Sequence, residues 1–107
     1  MKELIEALQM IWPFLNDPNT DFPTSCEHDI MYVCDVNFDN MNGETVREIA
    51  KLGFVPGDDC YDFEIIENIL GHDFVIEGYY DKITDEQWES IKHEITNCFH
   101  SNKFGSC

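Results

Sequence analysis

The sequence predicts an α+β fold in a single domain over residues 1–107, an N-terminal helix followed by a ferredoxin-like β-α-β-β-α-β sandwich. Three observations predict it. An amphipathic period of helical spacing opens the chain, helix caps stand at Asn42 and Thr84, and a run rich in β-branched and aromatic residues precedes each cap. The two runs also begin alike, with Glu27-His28-Asp29-Ile30 in one and Gly71-His72-Asp73-Phe74 in the other. A strand-helix-strand unit written twice gives the ferredoxin-like sandwich. With 43% hydrophobic and 13% aromatic residues, the 107-residue chain has the apolar material for one modest core.

Leu4, Ile5, Leu8, Ile11, Trp12 and Leu15 recur at helical spacing, with Glu3, Glu6 and Gln9 between them. Pro13 removes a backbone donor and turns Trp12 away from helical torsions, so the helix is expected to end near Ile11. Residues 16–25 are loop chemistry throughout. From Asp29 to Phe38 a strand is predicted: Ile30 to Cys34 is unbroken, then Val36 and Phe38 alternate with Asp35 and Asn37. Asn42 caps a helix that carries Val46, Ile49 and Ala50 on one side, and Gly53 ends it. The segment Tyr61 to Leu70 fits either a strand or a helical turn, and periodicity does not decide between them. His72 to Tyr80 reads as a strand in which Gly78 marks a bulge. Thr84-Asp85-Glu86-Gln87 is a capping box, and its helix is expected to bury Trp88, Ile91, Ile95 and either Cys98 or Phe99 while exposing Glu89, Lys92, Glu94 and Asn97. Ser101 to Cys107 suits a last short strand.

Charge limits the partners. Twenty-two acids against six Lys and Arg give a formal net charge of -16. Residues 1–53 hold ten acids and three bases (net -7), and residues 54–107 hold twelve and three (net -9), so the acidity belongs to the whole domain. Such a surface repels nucleic acid and anionic membranes and favours fast, salt-sensitive association with a basic partner. Solubility alone is the competing explanation. The first residues carry acids where a signal core would be apolar, and no apolar run approaches the roughly 20 residues of a membrane span. A cytoplasmic protein is expected. Five cysteines, an odd number, then favour free thiols or metal ligands over a disulfide framework.

Two Cys-x-His steps carry the most specific chemistry, Cys26-Glu27-His28 and Cys98-Phe99-His100, with Cys107 close to the second. Side chains two residues apart on a strand share a face, so Cys26, His28, Cys98 and His100 on neighbouring strands would offer tetrahedral zinc four ligands. The spacing is not that of the common zinc signatures, and zinc is an alternative to a protein without cofactor. Asp35-x-Asn37-x-Asp39 matches the first three ligand positions of a calcium loop but lacks its Gly and its terminal Glu, so an Asx turn is expected. The dipeptides His28-Asp29 and His72-Asp73 place each carboxylate on the wrong side of a strand to orient its histidine. No nucleophile elbow, phosphate loop or zinc-protease motif occurs, and no catalytic residue is assigned.

Cys26-Glu27-His28-Asp29, the strand Ile30 to Val36, Leu52-Gly53-Phe54-Val55-Pro56 and the ending Ser101-Asn102-Lys103-Phe104-Gly105-Ser106-Cys107 together resemble a family of small uncharacterised bacterial and phage proteins. Its pattern is a Cys-Glu-His-Asp strand, a Gly-Phe-x-Pro turn and a Phe-Gly-Ser-Cys C-terminus. This chain departs from it in the long connection between Pro56 and Cys98 and in Asn102, where an aromatic is typical. The resemblance implies a bacterial or phage origin and an α+β core, and brings no activity. By size and charge the chain is also similar to phage inhibitors that mimic nucleic acid. The expected function is a small acidic, non-enzymatic binding protein, an inhibitor of phage or mobile-element type that occupies a basic, nucleic-acid-binding site on a partner protein. The alternative is a zinc-binding or thiol-based module built on the Cys-x-His steps.

Overall fold

A computed structural model describes the chain apart from residues 1, 18, 20–23, 28, 59–60 and 105–107 and the side chain of Glu27. Helix α1 (Lys2–Ile11) forms on the opening apolar period, burying Ala7 and Ile11 and leaving Glu3 and Glu6 in solvent. It ends where Pro13 requires, and Trp12–Phe14 tightens into a 3-10 turn. The helical period is lost there, so Trp12 is 49% exposed while Leu15 enters the core and bridges Val36.

The strand expected over Asp29 to Phe38 is shorter than predicted and has a hairpin partner. Strands β1 (Thr24–Glu27) and β2 (Ile30–Val33) pair antiparallel through a two-residue connection that includes Asp29 at φ 64. A positive φ is what a tight hairpin turn demands. Thr24 and Ser25, expected in a loop, thus belong to the sheet. Asp35, at φ 58, ends β2, and Phe38–Asn40 is a 3-10 turn.

Helix α2 (Gly43–Lys51) starts where Asn42 Oδ1 accepts the Thr45 N–H at 2.9 Å, and it buries Val46 and Ile49. Gly53, at φ 108, follows its end. After β3 (Val55–Pro56), the ambiguous segment becomes helix α3 (Phe63–Leu70). The strand expected at His72–Tyr80 is not formed: helix α4 (His72–Glu77) and a 3-10 turn (Tyr79–Lys82) occupy it. Gly78, read as a bulge, is instead the left-handed residue that closes α4.

Helix α5 (Asp85–Ile91) has the predicted capping box, with Thr84 Oγ1 accepting the Gln87 N–H and Gln87 Oε1 accepting the Thr84 N–H, each at 3.0 Å. Lys92, expected in solvent, lays its stem along the protein and is buried, its Nζ 2.8 Å from Glu89. Strand β4 (Phe99–Ser101) ends the described sheet and starts earlier than the strand expected in the tail.

The sheet order is β1-β2-β4-β3, and every pair is antiparallel. The mixed helix and sheet class and the N-terminal helix agree with the prediction. The ferredoxin-like connectivity does not: the first two strands form a hairpin with no helix between them, and the second predicted strand is α4. Register decides the faces. Val33 stands opposite Phe99, which stands opposite Pro56, and this face enters the core. Ser25, Tyr32, His100 and Val55 form the next row and point the other way.

Phe38 sits edge-on to both Trp88 (5.0 Å between centroids) and Phe99 (5.3 Å), joining α5 to the sheet. Trp88 buries its indole and donates Nε1–H to the Met41 carbonyl at 2.8 Å. The radius of gyration, 12.8 Å, equals the ~13 Å of a compact chain of this length.

Candidate functional site

Sheet register separates the predicted ligands. Cys26 pairs with Met31, which pairs with Ser101, whereas His100 pairs with Tyr32 in the adjacent row. Cross-strand partners share a face and neighbours along a strand alternate, so Cys26 and His100 project from opposite faces of the sheet. Cys26 is moreover disulfide-bonded, against the expectation of free thiols, and a disulfide sulfur offers a metal no thiolate. His28, and Cys107 beside the second step, lie outside the described residues. Cys98 and His100 do share a face, but Cys26 does not join them. Among the described residues, no three His, Cys, Asp or Glu side chains gather as a metal site would need.

What the structure builds around Cys98 and His100 is a junction between β4 and the loop that follows β3. The Gly57 N–H donates to the Cys98 carbonyl at 2.6 Å, and His100 Nδ1 lies 2.6 Å from the Gly57 carbonyl. A carbonyl only accepts, so Nδ1 carries a proton and donates it to Gly57. Asp62, only 3% exposed, closes the junction. Its Oδ2 accepts the N–H groups of Asp58 (2.6 Å) and Thr96 (3.0 Å), and its Oδ1 accepts the Thr96 hydroxyl (3.3 Å). Gly57 is at φ 91, and a Cβ there would lie 3.1 Å from Asp62 Oδ2, so a side chain would be strained in backbone and crowded against the carboxylate.

Two depressions flank this junction and share Asp58. One, of about 240 Å³, is lined by Val55, Phe63, Ile66, Tyr80 and His100. The other, about 490 Å³ and more open, is lined by Ser25, Tyr32, Cys34, Asp35 and Cys98. Cys34 is exposed and Cys98 is buried, and both are free thiols. Burial first, and then the negative charge of Asp58, Cys34 and Asp62, pushes the Cys98 thiol up to about 12. Cys98 is therefore a protonated thiol at neutral pH. Metal capture there would first have to displace that proton.

The remaining sequence candidates have structural partners. Asn37 Oδ1 accepts the Asp39 N–H at 3.1 Å, an Asx turn, and Asp35 accepts the Asn16 side-chain amide at 2.8 Å. His72 meets Glu67 at 2.6 Å rather than its neighbour Asp73, and the hydrogen bond to Glu67 raises its pKa above 6.5. Cys34, Asp58, Asp62 and Tyr32 carried no motif in the sequence. Only the pairing of β2 with β4 brings the first and last of them to Cys98 and His100. No protein-family model, curated protein or solved structure matches this chain.

Proposed function

We propose that this chain is a small acidic, non-enzymatic binding protein that docks its negative surface on the basic, nucleic-acid-binding site of a partner protein, as an inhibitor of phage or mobile-element origin would. The placement of charge carries this reading. Of the described acids only Asp62 is buried, and Asp58 and Glu67 are half-buried; the others are exposed on every helix, in the β-hairpin turn and in the loops. Five of the six Lys and Arg are engaged within the chain. Arg47 pairs with Asp85, Lys51 with Glu48, Lys92 with Glu89 and Lys103 with Glu3, while Lys82 lies over the Tyr79 ring. A basic partner therefore meets an acidic field with few competing cations, and long-range attraction of this kind speeds encounter and is screened by salt.

The test is affinity capture from a bacterial lysate with the immobilised chain at about 50 and 500 mM NaCl, concentrations that shorten the screening length several-fold. Basic nucleic-acid-binding proteins retained at low salt and released at high salt are the expected result. Retention of acidic proteins alone, or of partners indifferent to salt, refutes the reading.

A further inference from the structure

We propose that Cys34 and Cys98 form a thiol–disulfide exchange site, at which a small-molecule disulfide of the glutathione class is reduced and the two side chains become bridged. The ladder of β2 and β4 runs through Met31–Ser101, Tyr32–His100 and Val33–Phe99, and one further step in that register sets Cys34 opposite Cys98. The two segments are still joined beyond this point, where Val36 N–H donates to the Asn97 carbonyl at 2.9 Å. Between these ties the β2 side holds Cys34 and Asp35, the latter at φ 58, and the β4 side holds Cys98 alone. Opposed residues in an antiparallel pair have Cα atoms about 4.5–5.5 Å apart, inside the roughly 4.4–6.8 Å that a disulfide spans.

The side chains agree with the backbone. Cys34 and Cys98 line the same depression with Tyr32 and Ser25, so both thiols project from the sheet face opposite the core. Cys34 is exposed, its Sγ 3.9 Å from Ser25 Oγ, whereas Cys98 is buried. Exposure assigns the order of events. Cys34, having released its proton, attacks one sulfur of the small disulfide; a Cys34–sulfur bond forms, the reagent's S–S bond breaks, and one small thiol leaves. Cys98 then gives its proton to solvent and attacks the Cys34 sulfur, forming the Cys34–Cys98 bond and expelling the second small thiol. Two protein thiols are oxidised, one disulfide is reduced to two thiols, and no other reactant enters.

The experiment treats the full chain with oxidised glutathione, quenches with acid and digests without reduction, using cleavage after Glu27 to part Cys26 from Cys34 before mass spectrometry. A Cys34–Cys98 linked peptide is expected in the native protein. Cys98→Ser, or Cys98→Ala should the serine variant fail to fold, is expected to stop at a glutathione adduct on Cys34, and Cys34→Ser to leave Cys98 unmodified. A native protein that stops at the Cys34 adduct, or in which Cys98 is joined to any other cysteine, overturns the proposal.

Discussion

Buried carboxylates are costly unless their oxygens are used, and Asp62 uses both, accepting two backbone N–H groups and one hydroxyl at the junction of the β3 loop with the segment before β4. Asp62→Ala leaves these part-buried donors without that acceptor, and about 1–3 kcal/mol of stability is expected to go with it. Urea unfolding followed by tryptophan fluorescence measures it, as a lower midpoint with an unchanged slope. The two thiols in the same region differ in kind. An alkylating reagent at neutral pH is expected to label exposed Cys34 and to spare Cys98, whose thiol is pushed up to about 12, until urea exposes it. His72 is a solvent-side example of the same electrostatics. Its pKa is raised chiefly by the Glu67 hydrogen bond, so the contact between the end of α3 and the start of α4 is strongest with the imidazole protonated. That contribution is complete below 6.5, the unfolded value, and fades as pH rises through the higher folded value. In NMR titration, Glu67→Gln should return the His72 midpoint towards 6.5; an unmoved midpoint would remove Glu67 as the cause.

Elements that carry their own stop and start signals were legible in the sequence. Helices α1, α2 and α5 have a 3.6-residue period, and Pro13, Asn42, Gly53 and the Thr84 box bound them where the structure does. Thr84→Ala removes one half of that box, and a loss of about 1 kcal/mol is expected, read as a lower thermal midpoint. Helix α4 replaces the expected strand for a physical reason. Phe74-Val75-Ile76 is a short apolar run whose residues suit a buried strand or one turn of helix equally, and only its packing on α3, with Gly71 and Gly78 at positive φ on either side, selects the helix. The hairpin was hidden too, because β1 begins inside a stretch dense in Asn, Asp and Pro. The candidate site followed the same rule. Cys98 and His100 drew attention by their spacing, but Cys34 and Asp62 are far from them in sequence, and their approach depends on strand register and on the β3 loop, neither of which a local pattern encodes. The disulfide at Cys26 is likewise invisible to spacing, and the odd cysteine count with an expected cytoplasmic location favours free thiols over it.

At the scale of the whole molecule, a charge of -16 can serve a partner or keep the protein in solution, and the two roles have different consequences. Both readings predict that the free protein gains stability with salt, since screening weakens self-repulsion in the compact state. Only the docking reading couples that charge to affinity. Glu77, Asp81 and Glu94 are exposed, and Glu77 sits in the last turn of α4, where the helix dipole already disfavours an acid. Converting all three to their amides removes three charges from exposed positions. At low salt the thermal midpoint should rise, and the rise should shrink at high salt. Affinity for a partner captured at low salt should fall on the order of tenfold, mostly through slower association, because dispersed surface charges act on encounter more than on the docked contact. A variant that gains stability and keeps both its association rate and its affinity would mean that these three acids serve solubility, and repeating the substitution on α1 and α2, at Glu6 and Glu44, would extend the comparison to another part of the surface.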